Sequence, residues 1–263
     1  MNIKNINSGD IMKKFLAILS FLFCFNLAYA GLSVDPSVTN VFGEPGSVYE
    51  GKYTVKNTYE RNINITVEVT KGNTFSANKD ADVNSWLVFE KYKYFIPAGE
   101  KVEVPYTVKV DESFKGSISA RINFSVDQEE GQMISISISV PIYVTVQGTE
   151  NVDFDIDSLD LYTAGDFISY KLKLENKGNV HIRHSGNVEI YTKKKKKLLK
   201  TLPIQETVPT YCEQKRDFNE RLLPKTDLKK GKYVAVFKIR ALGKEVTKEI
   251  KFKVSKLGEV VTQ

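Results

Sequence analysis

The stretch MISISISVPIYVTV, residues 133–146, decides the fold class of this chain. Ile134, Ile136, Ile138, Val140, Ile142, Val144 and Val146 all stand at even numbers, with mostly serine, threonine and tyrosine between them. Alternation of period two puts every apolar side chain on one face of an extended strand. Strands usually run about three to ten residues. A ribbon longer than that overhangs an ordinary sheet, and the surplus needs something else to pack against.

The same alternation recurs on both sides of this ribbon at spacings of roughly ten residues, which is the pattern of an all-β sandwich. Before it, strands are predicted over 32–41, 48–56, 63–70, 86–90, 101–110 and 117–126. After it they are predicted over 154–161, 167–175, 180–191, 198–207, 215–222, 233–241 and 245–254. Turn chemistry separates them, as in Gly43-Glu44-Pro45-Gly46, Pro97-Ala98-Gly99-Glu100 and Asn176-Lys177-Gly178-Asn179, where Gly and Pro supply backbone angles that strands do not use. Gln147-Gly148-Thr149-Glu150 is too short and polar to be a strand. The expectation is two tandem immunoglobulin-like β-sandwich domains, residues 31–147 and 151–255, with a short polar tail at 256–263. Trp86, the single tryptophan, is expected to be a core or edge anchor.

Residues 1–30 have the form of a cleaved signal peptide. Lys13 and Lys14 precede an apolar stretch that ends in Ala28-Tyr29-Ala30, and that stretch is well short of the roughly twenty residues a spanning helix needs. Met12 is a second candidate start beside Met1. Phe23 before Cys24 does not suit a lipoprotein signal, so Cys212 is the one cysteine left after cleavage, without an intrachain disulfide partner and expected as a surface or half-buried thiol. The product is expected to be exported, to the periplasm or cell surface, and to meet a membrane only through its signal peptide.

Charge divides unevenly. Residues 31–149 carry 11 Lys+Arg against 15 Asp+Glu, a balance of −4, and residues 150–263 carry 24 against 16, a balance of +8. Lys193, Lys194, Lys195, Lys196 and Lys197 supply part of the second excess and are expected at a solvated hairpin end. Without interleaved aromatics the run does not point to nucleic acid. It is also the candidate contact for a polyanion of the envelope.

Little in the chain points to catalysis. His181 and His184 would face opposite sides of a strand, so they do not form a metal pair. Asp153, Asp155, Asp157 and Asp160 alternate with Phe154, Ile156 and Leu159, which describes a solvated strand face without the glycine and distal Glu of a calcium loop. No G-x-S-x-G, H-E-x-x-H, C-x-x-C or phosphate-cradling glycine loop occurs. No metal, no cofactor and no enzymatic activity are expected.

Several core and turn patterns carry a resemblance. Val55-Lys56-Asn57, Trp86-Leu87 with Phe95, Pro97-Ala98-Gly99-Glu100 and Val140-Pro141-Ile142-Tyr143-Val144 resemble the N-terminal immunoglobulin-like domain of periplasmic pilus-assembly chaperones. Over both halves the chain also resembles exported bacterial proteins with tandem sandwiches, through Asn176-Lys177-Gly178-Asn179-Val180-His181-Ile182 and Leu228-Lys229-Lys230-Gly231-Lys232-Tyr233. For the chaperones, the resemblance implies that the last strand of the first domain lends alternating aliphatics to an incomplete secreted subunit. Ile134, Ile136, Ile138 and Val140 are then the candidate partner-binding strand. It also implies a basic pair that grips the subunit's terminal carboxylate, one residue in the first strands and one just past the donor strand. Here no Lys or Arg stands between Gly31 and Gly51, and Gln-Gly-Thr-Glu follows Val146.

Two readings of the ribbon follow. Either it packs within its own sandwich and then under the second domain, or its start is offered to a client. The expected function is an exported, non-catalytic protein-binding or assembly module, in its specific form a divergent chaperone of surface or pilus subunits acting by β-strand addition. The alternative is a structural envelope protein whose basic second domain docks on an anionic cell-wall or membrane polymer.

Overall fold

Strands with one apolar face must bury it, and this chain does so with four sheets packed in two pairs. The computed structural model describes residues 31–127, 136–206 and 208–262. The signal-peptide assignment and Ile134 lie outside the described residues.

The first sandwich contains β1 (Leu32–Asp35), β2 (Thr39–Gly43), β3 (Val48–Asn57), β4 (Ile63–Thr74), β5 (Leu87–Phe89), β6 (Lys93–Ile96), β7 (Lys101–Lys109), β8 (Ser117–Val126) and β9 (Ser137–Val146). One sheet has the order β1-β3-β7-β5 and the other β2-β9-β8-β4-β6. Between them lies a core in which Tyr53, Ile65, Trp86, Val104, Ile122 and Phe124 are buried. The second sandwich contains β10 (Phe154–Ala164), β11 (Phe167–Asn176), β12 (Ser185–Thr192), β13 (Leu198–Ile204), β14 (Lys215–Pro224), β15 (Gly231–Ala241), β16 (Lys244–Val254) and β17 (Val260–Thr262). Its sheets run β10-β11-β14 and β13-β12-β15-β16-β17 around a separate core that includes Tyr170, Leu172, Ile190, Phe237 and Phe252. The fold is thus two tandem immunoglobulin-like sandwiches.

Four local expectations change. The predicted strand 32–41 is two strands, because the chain crosses at Pro36 from one sheet to the other: β1 pairs with β3, and β2 then runs parallel to β9. Trp86 ends a helical turn, Val83–Trp86, capped by the Asp82 carboxylate, which accepts from the Asn84 N–H at 3.0 Å. Its indole is buried edge-on to Phe114 at 6.4 Å. The predicted strand 180–191 begins only at Ser185, since the residues before it are used at the junction of the two sandwiches. Finally, Val260–Thr262 at the end of the chain pairs with β16 as an edge strand.

Candidate functional site

β9 is the strand of the opening ribbon, and its two halves have different neighbours. From Ile142 to Val146 it lies between β8 and the parallel β2. Ile142, Val144 and Val146 are buried in the core, each side chain contributing about 1.5–3 kcal/mol. Tyr143 and Thr145, on the opposite face, are buried as well, at the junction with the second sandwich. This is the self-packing expected of the ribbon. From Ser137 to Pro141, β8 lies on one side and, among the described residues, no strand lies on the other.

The register shows what that open edge offers. The Val126 N–H donates to the Ile136 carbonyl at 2.9 Å, so the even-numbered residues of β9 exchange their bonds with β8. Ser137 and Ser139 therefore turn their N–H and C=O groups to the open side. Pro141, which has no N–H to give, marks the limit of the open segment. Side-chain burial falls in the same direction: Val140 is 1% exposed, Ile138 half-buried and Ile136 42% exposed. Ile136→Asp is accordingly expected to change stability by no more than about 0.5 kcal/mol, whereas Val140→Ala should cost about 2 kcal/mol. Urea melts of the two variants check this, and equal losses would contradict the burial gradient.

Asn179 makes three of the hydrogen bonds at the junction beside β9. Asn179 accepts from the Ser117 N–H through its carbonyl at 2.8 Å and from the Asn151 N–H through Oδ1 at 2.6 Å, and its Nδ2 donates to the Thr149 carbonyl at 2.8 Å. Asn176 Nδ2 donates to the Val180 and Thr210 carbonyls, which holds the segment without a full ladder. His181 stacks on Tyr143 at 4.4 Å, and its N–H donates to Ser117 Oγ at 3.0 Å.

Next to this junction a cleft of about 860 Å³ opens between the sandwiches, with Val38 and Phe42 on one wall and His181, Arg183, Arg240 and Leu242 on the other. The pattern in sequence left no basic residue in the expected places. In the fold, the cleft takes its cations from the second sandwich. Arg183 lies over the Tyr143 ring at 5.6 Å, Arg240 bonds Glu245, and Lys244 bonds Asp153 at 2.6 Å.

The remaining candidates are dispersed. Burial lowers the pKa of both histidines to about 4, with Arg183 adding to the effect at His181. His184 lies in the core of the second sandwich against Phe218 at 4.3 Å. Asp157 pairs with Lys215 at 2.7 Å. Cys212 departs from expectation: it is buried, its Sγ donates to Asn73 Oδ1 at 3.1 Å across the junction, and burial pushes its thiol up to about 11. Lys193, Lys194, Lys195, Lys196 and Lys197 are exposed at the turn between β12 and β13. No residue spacing in the sequence announces the cleft, because its walls come from segments about 140 to 200 residues apart, and only folding brings them together.

No family model matches the chain, and no curated protein matches its sequence. Among solved structures, it is similar to the class 5 fimbriae chaperone CfaA at 14% identity and TM-score 0.47, covering 83% of this chain and 98% of that one. It is also similar to a chain of the CsuC–CsuE chaperone–tip adhesion subunit pre-assembly complex of Acinetobacter baumannii, at 15% identity and TM-score 0.44, covering 84% and 98%. A third is the Salmonella enterica complex of the SafA pilin with the SafB chaperone, at 12% identity and TM-score 0.40, covering 83% and 94%.

Proposed function

We propose that this protein is an exported, non-catalytic protein-binding or assembly module that captures its partner by β-strand addition on the first half of β9. Residues 31–147 and 151–255 serve as its two domains, and the periplasm is where it meets its client. The observation that carries this reading is the open edge at Ser137 and Ser139 beside a progressively exposed row of Val140, Ile138 and Ile136. A strand laid on such an edge gains main-chain hydrogen bonds, and alternate side chains set its specificity. The partner is then a secreted subunit with one strand position unfilled, a divergent form of chaperone client. Cys212, buried with its Sγ on Asn73, and His184, fully buried against Phe218, are both kept from the surface, which supports a role without nucleophilic chemistry.

Hydrogen exchange tests it. In the isolated protein the amides of Ser137 and Ser139 are expected to exchange fast while those of Ile138 and Val140 are protected. A polypeptide captured from envelope extract on the immobilised protein should slow both serine amides and should stay bound at high salt, since strand addition is not a screened charge contact. Capture that leaves both amides at the free rate would overturn the reading. The second reading, docking of the basic half on an anionic partner, draws on the lysine run.

A further inference from the structure

Strand pairing gathers three separate turns at one end of the second sandwich. β12 starts at Ser185 opposite Arg240, beside the cleft, and ends at Thr192 opposite Tyr233. β15 starts at Gly231 opposite Val254. The lysine turn after β12, the Leu228–Lys230 approach to β15 and the turn after β16 therefore share the end remote from the first sandwich. Lys193, Lys194, Lys195, Lys196 and Lys197 share that end with Lys229, Lys230 and Lys232, and with Lys256 on the third turn. Among the described residues the carboxylates at this end are fewer than the lysines: Glu249 bonds Lys195, Asp227 bonds Lys200, Asp166 pairs with Lys225 at 3.4 Å, and Glu259 is exposed on the third turn.

Three leucines stand among these charges with their side chains in water. Leu198 and Leu199 directly follow the lysine run and are 46% and 38% exposed, and Leu257 is 80% exposed. The turn itself is built against its backbone preference. Lys194 and Lys195 have φ of 62° and 54°, the left-handed region that asparagine and glycine occupy in tight hairpins. Two lysines there cost stability that a turn chosen for folding alone would keep. Beside them a groove of about 400 Å³ is floored by Tyr233 and Phe252, whose rings lie 5.5 Å apart.

We propose that this end of the second sandwich is a docking surface for an anionic lipid bilayer. Lysines alone suit any polyanion, and a soluble polymer would neutralise them while leaving the leucines wet. The boundary between headgroups and acyl chains takes up both, phosphate against the lysines and hydrocarbon against Leu198, Leu199 and Leu257. The sequence pattern confined membrane contact to the signal peptide. The exposed leucines at the lysine-rich end are what extend it to the folded chain. The inference commits the anionic-docking alternative to lipid and stands apart from strand addition, whose site is at the other end of the molecule.

Cosedimentation of the purified protein with vesicles tests it, using phosphatidylcholine alone and phosphatidylcholine mixed with phosphatidylglycerol. Binding is expected only with phosphatidylglycerol and should weaken as salt rises. Lys193→Gln with Lys194→Asn should weaken it by about thirty-fold, from the effect of two lysines near a charged surface. Leu198→Ser with Leu199→Ser should weaken vesicle binding by about tenfold or more while leaving binding to heparin, a soluble polyanion, unchanged. Lys194→Asn with Lys195→Gly should raise the melting temperature and still weaken vesicle binding, which separates docking from folding. Equal binding to both vesicle types, no binding to either, or a leucine variant that binds vesicles like the wild type would overturn the proposal, the last in favour of a polymer.

Discussion

Acidification from pH 6.5 to about pH 4 is expected to remove about 3 kcal/mol of stability through His184 alone. His184 is fully buried, with Phe218 against its ring, and, among the described residues, neither ring nitrogen has a hydrogen-bond partner. Burial disfavours the charged imidazolium and lowers the pKa to about 4, against a smaller opposing pull from the Glu220 carboxylate. Below pH 6.5 the unfolded chain therefore takes up a proton that the native state refuses, so stability falls with pH until the native ring also titrates near 4. Above pH 6.5 this contribution is constant. His181, lowered to about 4 by burial and by Arg183, adds to the same window. The carboxylates of Glu103, Asp153, Asp157 and Glu189 are held below their ordinary values by lysine partners, so their contribution is lost only at lower pH. Urea melts at pH 7 and pH 5 should differ by about 2 kcal/mol from His184. His184→Leu should flatten that dependence by about half, and an unchanged slope would mean that the ring is solvated.

Gly116→Ala is expected to destabilise the junction by about 3 kcal/mol or more. Gly116 has a φ of +70°, and a Cβ there would stand 2.1 Å from the Asn179 carbonyl oxygen, a backbone atom that cannot turn aside. That carbonyl also receives the Ser117 N–H, so relieving the clash breaks one of the hydrogen bonds between the two sandwiches. The expected result in calorimetry is a lower melting temperature and separate transitions for the two sandwiches. Gly99→Ala is the control, because Gly99 has a similar φ of +75° but nothing within 4 Å of its missing Cβ. It should cost only the backbone penalty, about 1 kcal/mol. Equal effects of the two substitutions would show that the sandwiches are not docked through Asn179.

Most strands were legible because alternation is a local property. β3, β7 and β8 fall within a residue or so of the periodic segments predicted for them. β6 was missed because Lys93–Ile96 is a short edge strand that leaves Phe95 60% exposed, so it lacks a two-faced pattern. The segment with Val180 and Ile182 misled for the opposite reason: it alternates and is buried, yet its backbone bonds go to the Asn176 side chain, which donates to the Val180 carbonyl, and to a single bridge between Ile182 and Thr210, not to a ladder.

The candidate site divides along the same line. Period, turn residues and charge balance are written in neighbouring residues, and by themselves they determined an all-β chain of two sandwiches, a one-faced ribbon and a lysine-rich turn. Which half of the ribbon has an open edge was decided by β2, a strand about 100 residues earlier that covers Ile142 to Val146 and stops short of Ser137. The cations of the cleft, the water-excluded ring of His184 and the placing of Leu257 at the same end of the sandwich as the lysine turn were likewise decided by tertiary structure. An edge, a desolvated ring or a surface patch is a property of what folding brings from far along the chain, and local periodicity carries no record of it.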